Sequence, residues 1–192
     1  MAMPATLTYT PDEYLAIERA AAHRSEFLDG RIVAMSGGSR NHSLITAQLI
    51  RLLGNQLDGR PCEVHGSDMR VKVADQGLYT YPDVTAVCGQ PQFEDAHGDT
   101  LLNPTVIFEV LSPTTEAYDR GEKFARYRRL PTLMDYVLVA QDRPRIERFT
   151  RDGDDWVLTA FDGLEASVAI ASIGCGVRLG DVYAKVGWGA DN

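Results

Sequence analysis

The chain lacks a basic excess. Nineteen lysines and arginines stand against 27 aspartates and glutamates, a net charge of −8. Non-specific nucleic-acid affinity comes largely from neutralised phosphates, so a strong, sequence-blind DNA binder is disfavoured. Long apolar runs are missing too: none reaches the length of a membrane span, and Met1–Thr10 holds no basic stretch followed by an apolar one. These absences set an expectation of a cytoplasmic protein with no membrane partner. Cysteine is scarce. Cys62, Cys88 and Cys175 form an odd set without C-x-x-C spacing, expected to be free thiols packing as small hydrophobes in a reducing compartment. His23, His65 and His97 lack the spacing of a metal set, and Ser112 has no G-x-S-x-G context, which counts against a serine hydrolase. Internal repeats, low-complexity stretches and obvious linkers are absent.

What remains is an ordinary globular composition, 44% hydrophobic and 24% charged, with length enough for one core. One α+β domain over residues 1–192 is the economical reading, with tails at 1–9 and 186–192. Thr10-Pro11-Asp12-Glu13 starts a helix with a capping box, running to about His23. Glu26–Val33 reads as a hairpin turned at Asp29-Gly30. Ser36-Gly37-Gly38-Ser39 is a link, and Leu44, Ile45, Leu49, Leu52 and Leu53 recur at helical spacing until Asp58-Gly59. Cys62–Val73 looks extended, Asp75-Gln76-Gly77 breaks it, and Tyr81–Val87 is the next strand. Gly89–Pro104 reads as a surface loop. Thr105–Leu111 is an apolar strand, Tyr118–Arg129 a helix ended by Pro131, and Tyr136–Ala140 a short buried strand. Strands and turns fill Arg145–Lys185, with hairpins marked by Asp152-Gly153 and Asp162-Gly163.

One residue has no propensity reason to be where it is. Glu109 interrupts the run T-V-I-F-E-V-L, and burying an ionised carboxylate is costly unless it is paired or holds a cation. A second acid, Asp83, stands at the mouth of the apolar run Val84–Val87, and Lys123 follows on the next helix. Two carboxylates on neighbouring strands could hold a magnesium ion while the lysine positions water or stabilises charge on a phosphodiester. Tyr127, four residues on, shares the helix face of Lys123. Plainer readings stand beside this one. Asp83 after proline suits a turn cap, Glu109 could pair with an arginine such as Arg70, and Lys123 with Arg120, Arg126, Arg128 and Arg129 could be a solvated basic face. His42, near a helix start, is more often a surface or supporting residue than a ligand.

These strings resemble a known family. Pro82-Asp83, then Glu109-Val110-Leu111-Ser112-Pro113-Thr114-Thr115, then Asp119-Arg120-Gly121-Glu122-Lys123 with Tyr127, then Tyr136-Val137-Leu138-Val139, look like the Uma-two-type endonucleases. That family belongs to the restriction-endonuclease-like superfamily named after the PD-(D/E)XK motif. Ser25–Gly30 and Asn41-His42 also fit, so the resemblance covers most of the chain. It implies an α+β fold with a restriction-endonuclease-like mixed sheet in αβββαβ order, flanked by helices, with extra C-terminal hairpins. It implies a Mg2+- or Mn2+-dependent DNA endonuclease acting as a homodimer. Asp83 and Glu109 would hold the metal, joined by the main-chain carbonyl of Val110, and Lys123 would assist. Glu26, His42, Arg120 and Tyr127 would support the site or meet substrate. Where the superfamily motif places its lysine this chain has Leu111, so Lys123 would take over from the helix. The alternative is a catalytically inactive nuclease-fold module that binds DNA or a partner.

Overall fold

Thr10 opens the first helix as expected. In the computed structural model, which describes residues 7–35, 37–73 and 77–188, its hydroxyl accepts from Glu13 N at 3.2 Å while Glu13 Oε2 accepts from Thr10 N at 2.8 Å. This reciprocal cap starts α1 (Pro11–Ala20), which stops short of His23. Asp29 and Gly30 both take positive φ, 48° and 83°, the mirror-image turn that suits a two-residue hairpin. They join β1 (Ser25–Leu28) to β2 (Arg31–Ala34). Ser39 then caps α2 (Arg40–Leu57), its hydroxyl accepting from His42 N. Ser36 of the expected link and Asp75-Gln76 of the expected break lie outside the described residues.

Two large sheets and a separate two-stranded hairpin follow where the sequence suggested one sheet. The expected strand Cys62–Val73 divides into β3 (Cys62–Gly66) and β4 (Arg70–Val73), which go to different sheets. The expected strand Tyr81–Val87 starts only at Val84, as β6 (Val84–Cys88), because Pro82 cannot donate to a ladder, and a separate β5 (Leu78–Thr80) precedes Tyr81. Within the supposed surface loop, β7 (Thr100–Leu101) is buried and pairs in parallel with β4, since Leu101 fills the second core. The smaller sheet runs β2-β1-β5-β4-β7. The larger runs β11-β10-β9-β8-β6-β3, with β8 (Val106–Val110), β9 (Asp135–Val139), β10 (Arg145–Asp152) and β11 (Asp155–Asp162).

The larger sheet contains the αβββαβ order: α2, β3, β6, β8, a helical crossover and β9. That crossover is what makes β8 and β9 parallel. It comprises α3 (Glu116–Tyr118), a π-helical turn (Asp119–Lys123) and α4 (Phe124–Tyr127), so its helix ends before the expected Arg129. Period-two alternation along β8 divides the core. Val106, Phe108 and Val110 pack with Ile45, Leu49 and Leu53 of α2. Ile107 faces the other way, against Tyr127, Tyr136 and the smaller sheet's Val71 and Leu78. The hairpin β10–β11 extends the sheet past β9. The hairpin of β12 (Ser167–Ile170) and β13 (Cys175–Arg178), with the short α5 (Leu179–Val182), closes over α2.

The cysteine reading needs correction. Antiparallel pairing sets Cys62 opposite Cys88, and the two are joined by a disulfide; the buried Cys175 alone is a free thiol. Of the supposed tails, Tyr9 N donates to Gly30 O, and Gly187 O accepts from the Asn41 side chain.

Leu53 is fully buried in the α2 layer. Leu53→Ala is therefore expected to lower unfolding free energy by about 2–5 kcal/mol, read by urea denaturation.

Candidate active site

Asp83 sits in the turn before β6, where it lies across from β8. Its Oδ2 accepts from Val110 N at 2.7 Å, and its Oδ1 lies 3.1 Å from His42 Nε2. The aspartate thus ties β8 to the first turn of α2, so the turn-cap reading is too modest. Glu109 is 4% exposed. Its partner is not Arg70, which bonds Tyr81 and Thr100 and pairs with Asp99. Glu109 Oε1 instead lies 2.9 Å from Lys123 Nζ and accepts from Tyr127 OH at 3.1 Å.

Lys123 is buried, not solvated. Its ammonium is also 3.4 Å from Asp119 Oδ1 and 3.7 Å from Glu26 Oε1. Lys123 ends the π turn. Wider turns of this kind occur often at functional sites, and here Tyr136 OH donates to the Asp119 carbonyl, holding the turn against β9. Asp119 and Lys123 then face inward together, with Tyr127 below. Tyr127 OH additionally bonds Thr80 Oγ1, and Thr80 donates to Glu26. Glu26 comes from β1, so both sheets meet at this lysine.

A cavity of about 430 Å³ opens onto Glu26, His42, Asp83, Glu109, Val110, Asp119 and Lys123. Arg120 is not among its walls; it pairs with Glu116 and Glu147. Arg126 is held by Asp29 and Glu122. The supposed basic face is therefore largely neutralised, with Arg128 and Arg129 exposed beyond it. Asp119 is the acid that reading for lone charges in apolar runs passes over. Its spacing of four from Lys123 was the available clue.

The electrostatics are those of crowded carboxylates. Burial pushes the Glu109 carboxyl well above the ordinary range; Lys123 pulls it back, and Asp119 and Asp83 add to the rise. Burial likewise raises Asp119. Burial opposes the charge on Lys123, but Glu109, Glu26 and Asp119 together outweigh it and carry its pKa well above the lysine value. The lysine is the firm charge, whereas burial makes ionising Glu109 costly. The hydrogen bond to Asp83 raises His42 above 6.5, against burial. Four carboxylates thus face one lysine and one histidine, a surplus of hard oxygen donors that suits a divalent cation. They are not closed around one: among the described residues no three histidine, cysteine or carboxylate side chains form a ready cage.

The mixed sheet in its αβββαβ order is a restriction-endonuclease-like fold. A crystal structure titled as a "putative nuclease belonging to DUF820", from Anabaena variabilis, shares this fold with a TM-score of 0.74 and 18% identity, over 94% of this chain and 98% of that one. The chain belongs to the Uma2 family, described as "Putative restriction endonuclease", whose sequence model matches residues 11–179. Two uncharacterized proteins of Synechocystis sp. are each 37% identical. One aligns over 91% of this chain and 90% of its own length, the other over 88% and 96%.

Removing Lys123 strands its acids. Lys123→Ala should cost about 3–5 kcal/mol at neutral pH. Acids with raised pKa bind more protons folded than unfolded, so stability falls as pH rises, and the deficit should shrink towards pH 5. In cation-free protein, the raised His42 pKa makes its bond to Asp83 fully stabilising below pH 6.5 and lost as pH climbs through the elevated value. NMR titration should place His42 above 6.5 in the wild type and lower in Asp83→Asn.

Proposed function

We propose that the chain is a metal-dependent DNA endonuclease that hydrolyses phosphodiester bonds at the Asp83–Glu109–Lys123 cavity. The observation that supports it is the convergence of three residues, distant in sequence, on one cleft, with Lys123 Nζ 2.9 Å from Glu109. Asp83 and Glu109, with the Val110 carbonyl, would hold Mg2+ or Mn2+, which when bound supplies Lewis-acid polarisation of a phosphate oxygen. Lys123 keeps its proton and would neutralise charge gathering on the phosphoryl oxygens. Tyr127 fixes the Glu109 carboxylate by donating to it, and His42 holds one oxygen of Asp83. Glu26 and Asp119 keep the lysine charged and aimed. Arg120, paired elsewhere, has no part at the cleft but could meet substrate outside it. The reading includes DNA as partner, a homodimer presenting one site to each strand, and a cytoplasmic setting. The Cys62–Cys88 disulfide removes the free-thiol ground for that setting, and among the described residues no helix is long and apolar enough to cross a membrane.

One feature favours the alternative of an inactive nuclease-fold module: Lys123 already satisfies Glu109 without a cation. Plasmid cleavage with magnesium or manganese separates the two. Wild type should cut, with Asp83→Ala, Glu109→Ala and Lys123→Ala each slower by on the order of 10²-fold or more. Equal residual activity in all four would reject catalysis at this cleft. Calorimetric titration with manganese should show binding that Glu109→Gln weakens.

A further inference from the structure

The cleft has two chemically different sides. Glu109 and Asp119 are buried and Glu26 and Asp83 half-buried, whereas the hairpin side of the mouth is apolar: Leu28, Val33, Ala34 and Met35 line it with the half-buried ring of Tyr118, beside the polar Ser112, Thr114 and Thr115. Val33 is 49% exposed and Met35 37%. Exposed apolar side chains gathered at a cleft, not scattered, mark a place where a ligand covers them. Their position is not incidental to the site. Val33 stands directly opposite Glu26 in the β1–β2 register, and Glu26 lies 3.7 Å from Lys123. Tyr118 immediately precedes Asp119.

Cations are scarce at the same place. The lining offers Lys123 and His42 against Glu26, Asp83, Glu109 and Asp119. Following an uninterrupted duplex takes a run of lysines and arginines along both backbones, and the two arginines that flank Lys123, Arg120 and Arg126, are engaged in ion pairs. The volume, about 430 Å³, falls in the range that encloses one small ligand, roughly 300–1,000 Å³. A single nucleotide presents what such a cleft would take: one phosphodiester for the charged interior and one flat, apolar base for the rim.

On the nuclease reading above, we propose that the cleft accepts one nucleotide withdrawn from the base stack. Its base lies against Val33, Met35 and Tyr118, and its phosphodiester points to Lys123. The preferred substrate is then unpaired DNA, in which no stacking has to be broken to bring a base to the rim. Val33 and Tyr118 set this specificity and do not touch the reacting phosphate.

The test compares a labelled single-stranded oligonucleotide with the same sequence as a duplex, in magnesium and manganese, using the full chain. A 2-aminopurine single strand serves as binding probe. The single strand should be cut about tenfold faster or more, and Tyr118→Ala should raise KM about tenfold with kcat within about twofold, as loss of one base–aromatic stack predicts. Tyr118→Phe, which keeps the ring, should restore KM, and Val33→Ser should weaken binding without slowing kcat. Equal rates on both substrates, with Glu109→Gln inactive, would overturn this inference and leave the nuclease reading intact. Absence of cleavage with Tyr118-dependent binding of the probe would overturn the nuclease reading and keep the nucleotide-holding rim. Absence of both would overturn the two together.

Discussion

The buried contact between Lys123 and Glu109 is the constraint around which the rest is arranged. Two opposite charges inside a protein repay their desolvation only with good geometry and additional hydrogen bonds. Here the additions are visible: Tyr127 donates to Glu109, and Asp119 and Glu26 flank the ammonium. Their positions demand the rest of the layout. Glu109 needs a strand buried on both faces, Lys123 needs a crossover that turns inward, and Glu26 needs a second sheet laid against the first. A pair kept for stability alone would be replaceable by apolar side chains of similar volume. The surplus of acids makes the cluster costlier than a simple pair, and the proposed metal-dependent function would put that surplus to use.

The π turn at Asp119–Lys123 carries this demand into the backbone. Asp119, Lys123 and Tyr127 follow one another at spacings of four, along one face, and within the wider turn the Asp119 carbonyl accepts from Tyr136 OH. Gly121 lies within the turn, with open space where a Cβ would go. Asp83 does comparable work at the opposite wall. By bonding Val110 N and His42 it fixes the cleft's width between β8 and α2.

Much of this was legible in the sequence because it follows local rules. The cap at Thr10, the Asp29-Gly30 turn, the α2 stripe and the anomaly at Glu109 each depend on a few neighbouring residues. The convergence of Asp83, Glu109 and Lys123 followed from strand order and resemblance. What escaped depends on distant chain. Nothing within Cys62–Val73 says that its halves part into two sheets, and nothing near Leu101 says that it will be buried. The Cys62–Cys88 link follows only from a register that spacing cannot supply. Lys123 and its arginine neighbours look alike as letters. Only the tertiary surroundings separate a lysine surrounded by acids from arginines held at the surface.

Glu26 and Glu109 belong to different sheets, yet they share one ammonium at 3.7 Å and 2.9 Å. That single nitrogen therefore acts as a gauge of how the two sheets are seated. If the smaller sheet slid by an ångström, the lysine would lose one neighbour and the proton affinity of the other would change. The seating of the β1–β2 hairpin therefore sets how closely Glu26 approaches an ammonium that Glu109 holds from the other sheet.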